Sequence, residues 1–125
     1  SIFLGPGGSV HLTPLYDVLT AQPSFETKQI DRRQMRLAMS VGTNRHYRIG
    51  EIRGRHFVQT GKAAGLAESV VLATIEEMAE TAKRALQKVE NTLPTDFPPA
   101  LHGSVSKGMM DRLDFLVIGT GAKDS

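Results

Sequence analysis

The stretch AESVVLATIEEMAETAKRALQKVENT, residues 67–92, decides the fold class. Val71, Ile75, Met78, Ala82, Leu86 and Val89, with Leu93 just beyond, recur at spacings of three and four. That spacing lays one apolar stripe along a long helix. Glu68 stands near the positive end of its dipole, and Lys83, Arg84 and Lys88 stand toward the negative end. Glu80 and Arg84, one turn apart, are spaced to pair, an interaction of about 0.3 kcal/mol.

Working outward, residues 51–64 read as a preceding helix that stops at Gly65, a residue suited to the left-handed position after a helix. Downstream, Leu93-Pro94-Thr95-Asp96 breaks the chain and leads into a third helix. Pro98 and Pro99 fit its first turn, where backbone N–H groups lack helical partners anyway. Its buried stripe is Phe97, Leu101, Val105, Met109, Leu113 and Leu116, and Met78, Met109 and Met110 read as core filler. Residues 119–125 have the composition of a flexible tail.

Ahead of the helices, Ile2-Phe3-Leu4 and Val10-His11-Leu12 flank Gly5-Pro6-Gly7-Gly8, a turn between two short strands. A phosphate cradle would need a following helix and a Lys-Ser/Thr pair, and neither is present. Leu15 to Thr20 permits one helical turn, which Gln22-Pro23-Ser24 ends, and residues 21–33 read as an exposed loop. Met35, Leu37 and Met39 then alternate with Arg36, Ala38 and Ser40, the period of a half-buried strand. Gly42-Thr43-Asn44-Arg45 turns the chain, and His46-Tyr47-Arg48-Ile49 returns as its partner strand. The expected fold is α+β and predominantly α-helical. Two short β-hairpins precede a three-helix bundle over residues 51–118, in a single domain of residues 1–125 without internal repeats.

With 125 residues and no cysteine, the chain has no disulfides, thiol nucleophiles or Cys-based zinc sites. The opening residues lack a signal-peptide core, and no apolar run approaches the ~20 residues of a membrane span. A soluble, cytoplasmic protein is therefore expected. Charge is uneven: Arg32, Arg33, Arg36, Arg45, Arg48, Arg53 and Arg55 lie between Lys28 and Lys62 with only Asp31 and Glu51 among them. The acids gather later, at Glu68, Glu76, Glu77, Glu80 and Glu90. A basic block of this kind is either a solvated face or the footprint of an anionic partner such as nucleic acid.

His11, His46, His56 and His102 show no metal-ligand spacing on one helix face and read as structural or surface residues. No nucleophile-elbow motif supports a hydrolase triad. One residue stands out by position: Asp17, a single carboxylate where the apolar strand Val10–Leu12 gives way to Thr13-Pro14-Leu15-Tyr16. A carboxylate at a strand end can hold a divalent cation over a phosphate, although Mg²⁺ needs further oxygen ligands.

Leu12-Thr13-Pro14-Leu15-Tyr16-Asp17-Val18-Leu19-Thr20 resembles the strand-to-loop segment of HipA-type serine/threonine kinases, the bacterial toxins of HipA–HipB toxin–antitoxin modules. The likeness continues, in order, through Met35-Arg36-Leu37-Ala38-Met39, His46-Tyr47 and Arg55-His56-Phe57 to Leu93-Pro94-Thr95-Asp96-Phe97-Pro98. It thus covers nearly the whole chain. The resemblance implies that residues 1–20 end the ATP and magnesium segment of a kinase C-lobe. It implies that Asp17 ligates Mg²⁺ bound to ATP, in the place of the Asp of the DFG motif, and that Tyr16 lines the nucleotide pocket. The same likeness implies transfer of the γ-phosphate to a protein Ser/Thr, with a translation-related target such as glutamyl-tRNA synthetase. It also implies a HipB-type antitoxin as partner, and operator DNA reached through that complex. Lys62, where the family carries basic residues, is the candidate DNA contact, made to phosphate and not to bases.

Departures from the family pattern carry their own expectation. The Asp-x-His-x-Lys-Asn catalytic loop would precede the first hairpin directly, and it is not within these residues. The phosphate-gripping loop and the lysine of the N-terminal lobe are likewise not within them. The chain therefore reads as the C-terminal part of a kinase, without catalytic residues of its own, inactive alone and holding neither Mg²⁺ nor ATP tightly. The rival reading is a non-catalytic antitoxin- or DNA-binding module, or a truncated remnant of the family.

Overall fold

The computed structural model describes residues 2–14 and 20–118. The helical turn expected from Leu15 falls almost wholly on residues 15–19, and the expected tail on 119–125; both lie outside the described residues. Strand β1 (Ile2–Leu4) pairs antiparallel with β2 (Val10–Leu12), and β3 (Arg36–Val41) with β4 (His46–Arg48). A short helix α1 (Gln22–Glu26) lies between the hairpins, and α2 (Gly54–Ala63), α3 (Glu68–Glu90) and α4 (Pro99–Ile118) follow. Among the described residues this is the expected mostly helical α+β fold, with two separate two-stranded sheets.

The core sits where α2, α3 and α4 pack on one another, and α1 lies against α4. Ile52, Val58, Ile75, Ala79 and Leu113 are its buried apolar side chains, joined by His56 and Ser104. On α3 the observed stripe differs from the one read by hydropathy. Ile75 and Ala79 are buried, whereas Met78 is 57% exposed and Val89 is exposed as well. Near its start, α3 comes close to α2. A Cβ on Gly61 of α2 would lie 2.5 Å from Val71 Cγ2 of α3. Interaxial distance follows the side chains at the contact. The expected Glu80–Arg84 pair is replaced by Glu80–Lys83 at 3.3 Å, while Arg84 donates to Thr81 Oγ1. Three- and four-residue spacings bring side chains equally near on a helix surface, so nothing strong favoured the first pair.

Helix α2 is shorter than the expected 51–64, because Ile49–Glu51 forms a separate 3-10 turn before it. Its end is as expected. Gly65 takes φ +84°, Leu66 N–H donates to Gly61 O at 2.9 Å, and Gly65 N–H donates to Lys62 O at 3.0 Å. Those two bonds form a Schellman motif, which satisfies the last carbonyls of the helix. The loop expected over 21–33 instead contains α1. Pro23 falls within its first turn, where proline removes no helical hydrogen bond, and Thr20 Oγ1 accepts from Gln22 N–H at 3.2 Å. Gly108 on α4 admits Gln22, since a Cβ there would lie 2.5 Å from Gln22 Cδ.

Candidate functional site

The segment around Asp17 is flanked on both sides by elements that the sequence accounts for. On the N-terminal side, β1 and β2 pair Ile2 with Leu12, Phe3 with His11 and Leu4 with Val10. Gly7 and Gly8, at φ +72° and +79°, allow the tight turn between them, and Gly5 N–H donates to Ser9 O at 2.8 Å. All five apolar side chains of this hairpin are exposed. On the C-terminal side, α1 is seated on α4, beside a cavity of about 370 Å³ whose lining includes Thr20, Gln22, Met35, Met109 and Arg112. Tyr16 and Asp17 themselves lie outside the described residues.

No group of three or more His, Asp and Glu side chains able to hold a metal ion occurs among the described residues. Asp17 is also the only carboxylate in the first 25 residues. Mg²⁺ is commonly held by one or two carboxylates together with phosphate oxygens and water.

The basic block is divided between the fold and the exposed surface. The Arg53 guanidinium donates to Gly50 O and Ile52 O, each at 2.9 Å, and lies 4.2 Å from the centroid of Phe115. Arg36 stacks over Tyr47, and Arg48 pairs with Glu51 at 3.2 Å. Lys62, in the last turn of α2, is exposed and reaches Glu68 at 3.4 Å. Arg45 and Arg55 are exposed and form no ion pair among the described residues.

One arrangement was not visible in the sequence spacing. His46 and His56 stack with ring centroids 4.0 Å apart and planes 16° from parallel. His56 Nδ1 accepts from Arg53 N–H at 3.1 Å, satisfying a donor at the start of α2. Burial chiefly, and then the nearby His46, Arg55 and Arg53, hold its pKa below the ordinary 6.5. These histidines are ten positions apart and on different elements, β4 and α2, with the 3-10 turn Ile49–Glu51 between them.

The family described as HipA-like C-terminal domain matches residues 1–86. The chain belongs to the HipA-like C-terminal domain family. The match takes in both hairpins, the Tyr16–Asp17 segment, α1, α2 and most of α3. Helix α4 lies beyond it, yet supplies Leu113 and Ser104 to the buried core of this HipA-like domain. No helix among the described residues is long and apolar enough to cross a membrane.

Proposed function

We propose that this chain serves a HipA-type protein kinase that transfers the γ-phosphate of ATP to a protein Ser/Thr. Its part is to present Asp17 to the Mg²⁺ of bound ATP and Tyr16 to the nucleotide. The observation that carries the reading is the family match over residues 1–86, which spans both. A bound Mg²⁺ would neutralise charge on the β- and γ-phosphates. The chain's own contribution would be positional: the segment that bears Asp17 runs between the β1–β2 hairpin and α1, and α1 packs on α4. A translation-related target such as glutamyl-tRNA synthetase, and a HipB-type antitoxin as partner, belong to the same proposal. Operator DNA would be reached through the antitoxin complex. There Lys62 would exchange its exposed pair with Glu68, worth about 0–1 kcal/mol, for a phosphate.

The test is calorimetry of ATP binding to the intact protein that carries this chain, with and without Mg²⁺. Asp17→Asn is expected to abolish the gain in affinity that Mg²⁺ confers and to abolish phosphoryl transfer. Retention of that gain in the variant would overturn the role given to Asp17.

A further inference from the structure

The stacked imidazoles join two elements that are otherwise linked by few polar bonds. His46 opens β4, and His56 lies in the first turn of α2. The turn between β3 and β4 rests on α2 through Gly42 N–H to Thr60 Oγ1 at 2.8 Å and Thr43 N–H to Gln59 Oε1 at 3.0 Å. Thr60 in turn donates to His56 O at 3.0 Å. A Cβ on Gly42 would lie 3.1 Å from the Cβ of His56, so the turn backbone sits directly on this residue. We propose that the His46–His56 stack is a proton-sensitive latch, holding the β3–β4 turn on α2 while His56 is neutral and releasing it when the His56 ring takes up a proton.

Three features make the closed form intolerant of a proton. His56 is only 4% exposed, so a charge there loses its hydration. Its Nδ1 accepts a hydrogen bond, and a protonated imidazole has no acceptor, so protonation would leave Arg53 N–H without its partner. The charged groups acting on it are His46 from β4, Arg53 ahead of α2 and Arg55 on α2, all of cationic type. Among the described residues no carboxylate forms an ion pair with either ring, from α3 and α4 or from any other element.

The direction of the effect follows from linkage. The closed form holds the His56 pKa below 6.5, and the opened form lets it return toward that value. Closure therefore has its full support above about pH 6.5 and loses it as pH falls through the closed-state pKa. Release would free the hairpin that carries exposed Met39 and Arg45.

Hydrogen exchange of the Gly42 and Thr43 amides, in the intact protein that carries this chain, reads the latch directly. After correction for intrinsic exchange rates, protection at these amides is expected to fall between pH 7.5 and 5.0. The limit is roughly tenfold for each unit by which opening raises the His56 pKa. The amides of Ile75 and Ala79 report the core and are expected to hold their protection. A second protein carries His46→Phe, which retains a ring for stacking, and His56→Gln, which retains an acceptor for Arg53 N–H. It is expected to show no such fall, with circular dichroism confirming that it is folded. Equal protection at both pH values in the native protein would overturn the latch. So would a fall of the same size in the folded double variant.

Discussion

Gly61 on α2 and Val71 on α3 meet with no room for a side chain between them: a Cβ on Gly61 would lie 2.5 Å from Val71 Cγ2. This contact holds the start of α3 close to α2. Gly61→Ala should gain about 1 kcal/mol of helix propensity and lose about 1–3 kcal/mol to overpacking. The clash wins, so urea denaturation should show net destabilisation. Val71→Ala placed in the Gly61→Ala background should recover part of the loss. A more stable Gly61→Ala protein would mean the helices stand further apart.

The end of α2 gives a second check. Gly65 holds φ +84°, and its Schellman bonds depend on that conformation. Gly65→Ala should cost about 1–2 kcal/mol because a Cβ strains the left-handed region, and Gly65→Asn should cost less. Equal stability of the two variants in the same denaturation assay would argue that strain at this position is relieved elsewhere.

Much of the fold was legible because its signals are local. The three-four spacing of residues 67–92 located α3 to within two residues at each end, and the glycine turn located both strands of the first hairpin. Failures came where a distant neighbour decides. Met78 outranks Ala79 in hydropathy, yet Ala79 is the buried one, since hydropathy alone does not say which face of α3 its neighbours cover. The alternation at 35–40 correctly gave a strand, yet Met39 is 80% exposed, since period alone does not say what covers a face. Pro23 was read as a breaker although proline at a helix start is tolerated, the very reading applied to Pro98 and Pro99. Of the candidate site, Tyr16 and Asp17 are legible through family resemblance. The His46–His56 stack has no signal in one sequence, because it depends on how α2 packs against the β3–β4 hairpin.

Lys62 separates a surface ion pair from a DNA contact. Its link to Glu68 is exposed on both sides, so Lys62→Ala should change unfolding free energy by less than about 1 kcal/mol. If the proposed phosphate contact is made, operator binding by the antitoxin complex should weaken uniformly across sequences. Its salt slope should fall by about one. An unchanged slope would remove Lys62 from the interface while leaving the kinase proposal untouched.

Arg53 makes the opposite prediction. It looks like a member of the same basic block, but its guanidinium bridges Gly50 O and Ile52 O and covers Phe115. Those contacts tie the segment ahead of α2 to α4. Both bonds come from Nη1, and lysine lacks the planar group whose face covers Phe115 while that nitrogen serves the two carbonyls. Arg53→Lys should therefore destabilise the fold by roughly 1–3 kcal/mol, the worth of a charge-assisted hydrogen bond, although net charge is unchanged. Phe115→Leu combined with Arg53→Lys should cost less than the sum of the two alone, because both remove one cation–π contact. The salt slope of DNA binding by the complex should stay as it is. A full-strength fold in Arg53→Lys, with a shallower slope, would place Arg53 at a phosphate and not in the frame of the domain.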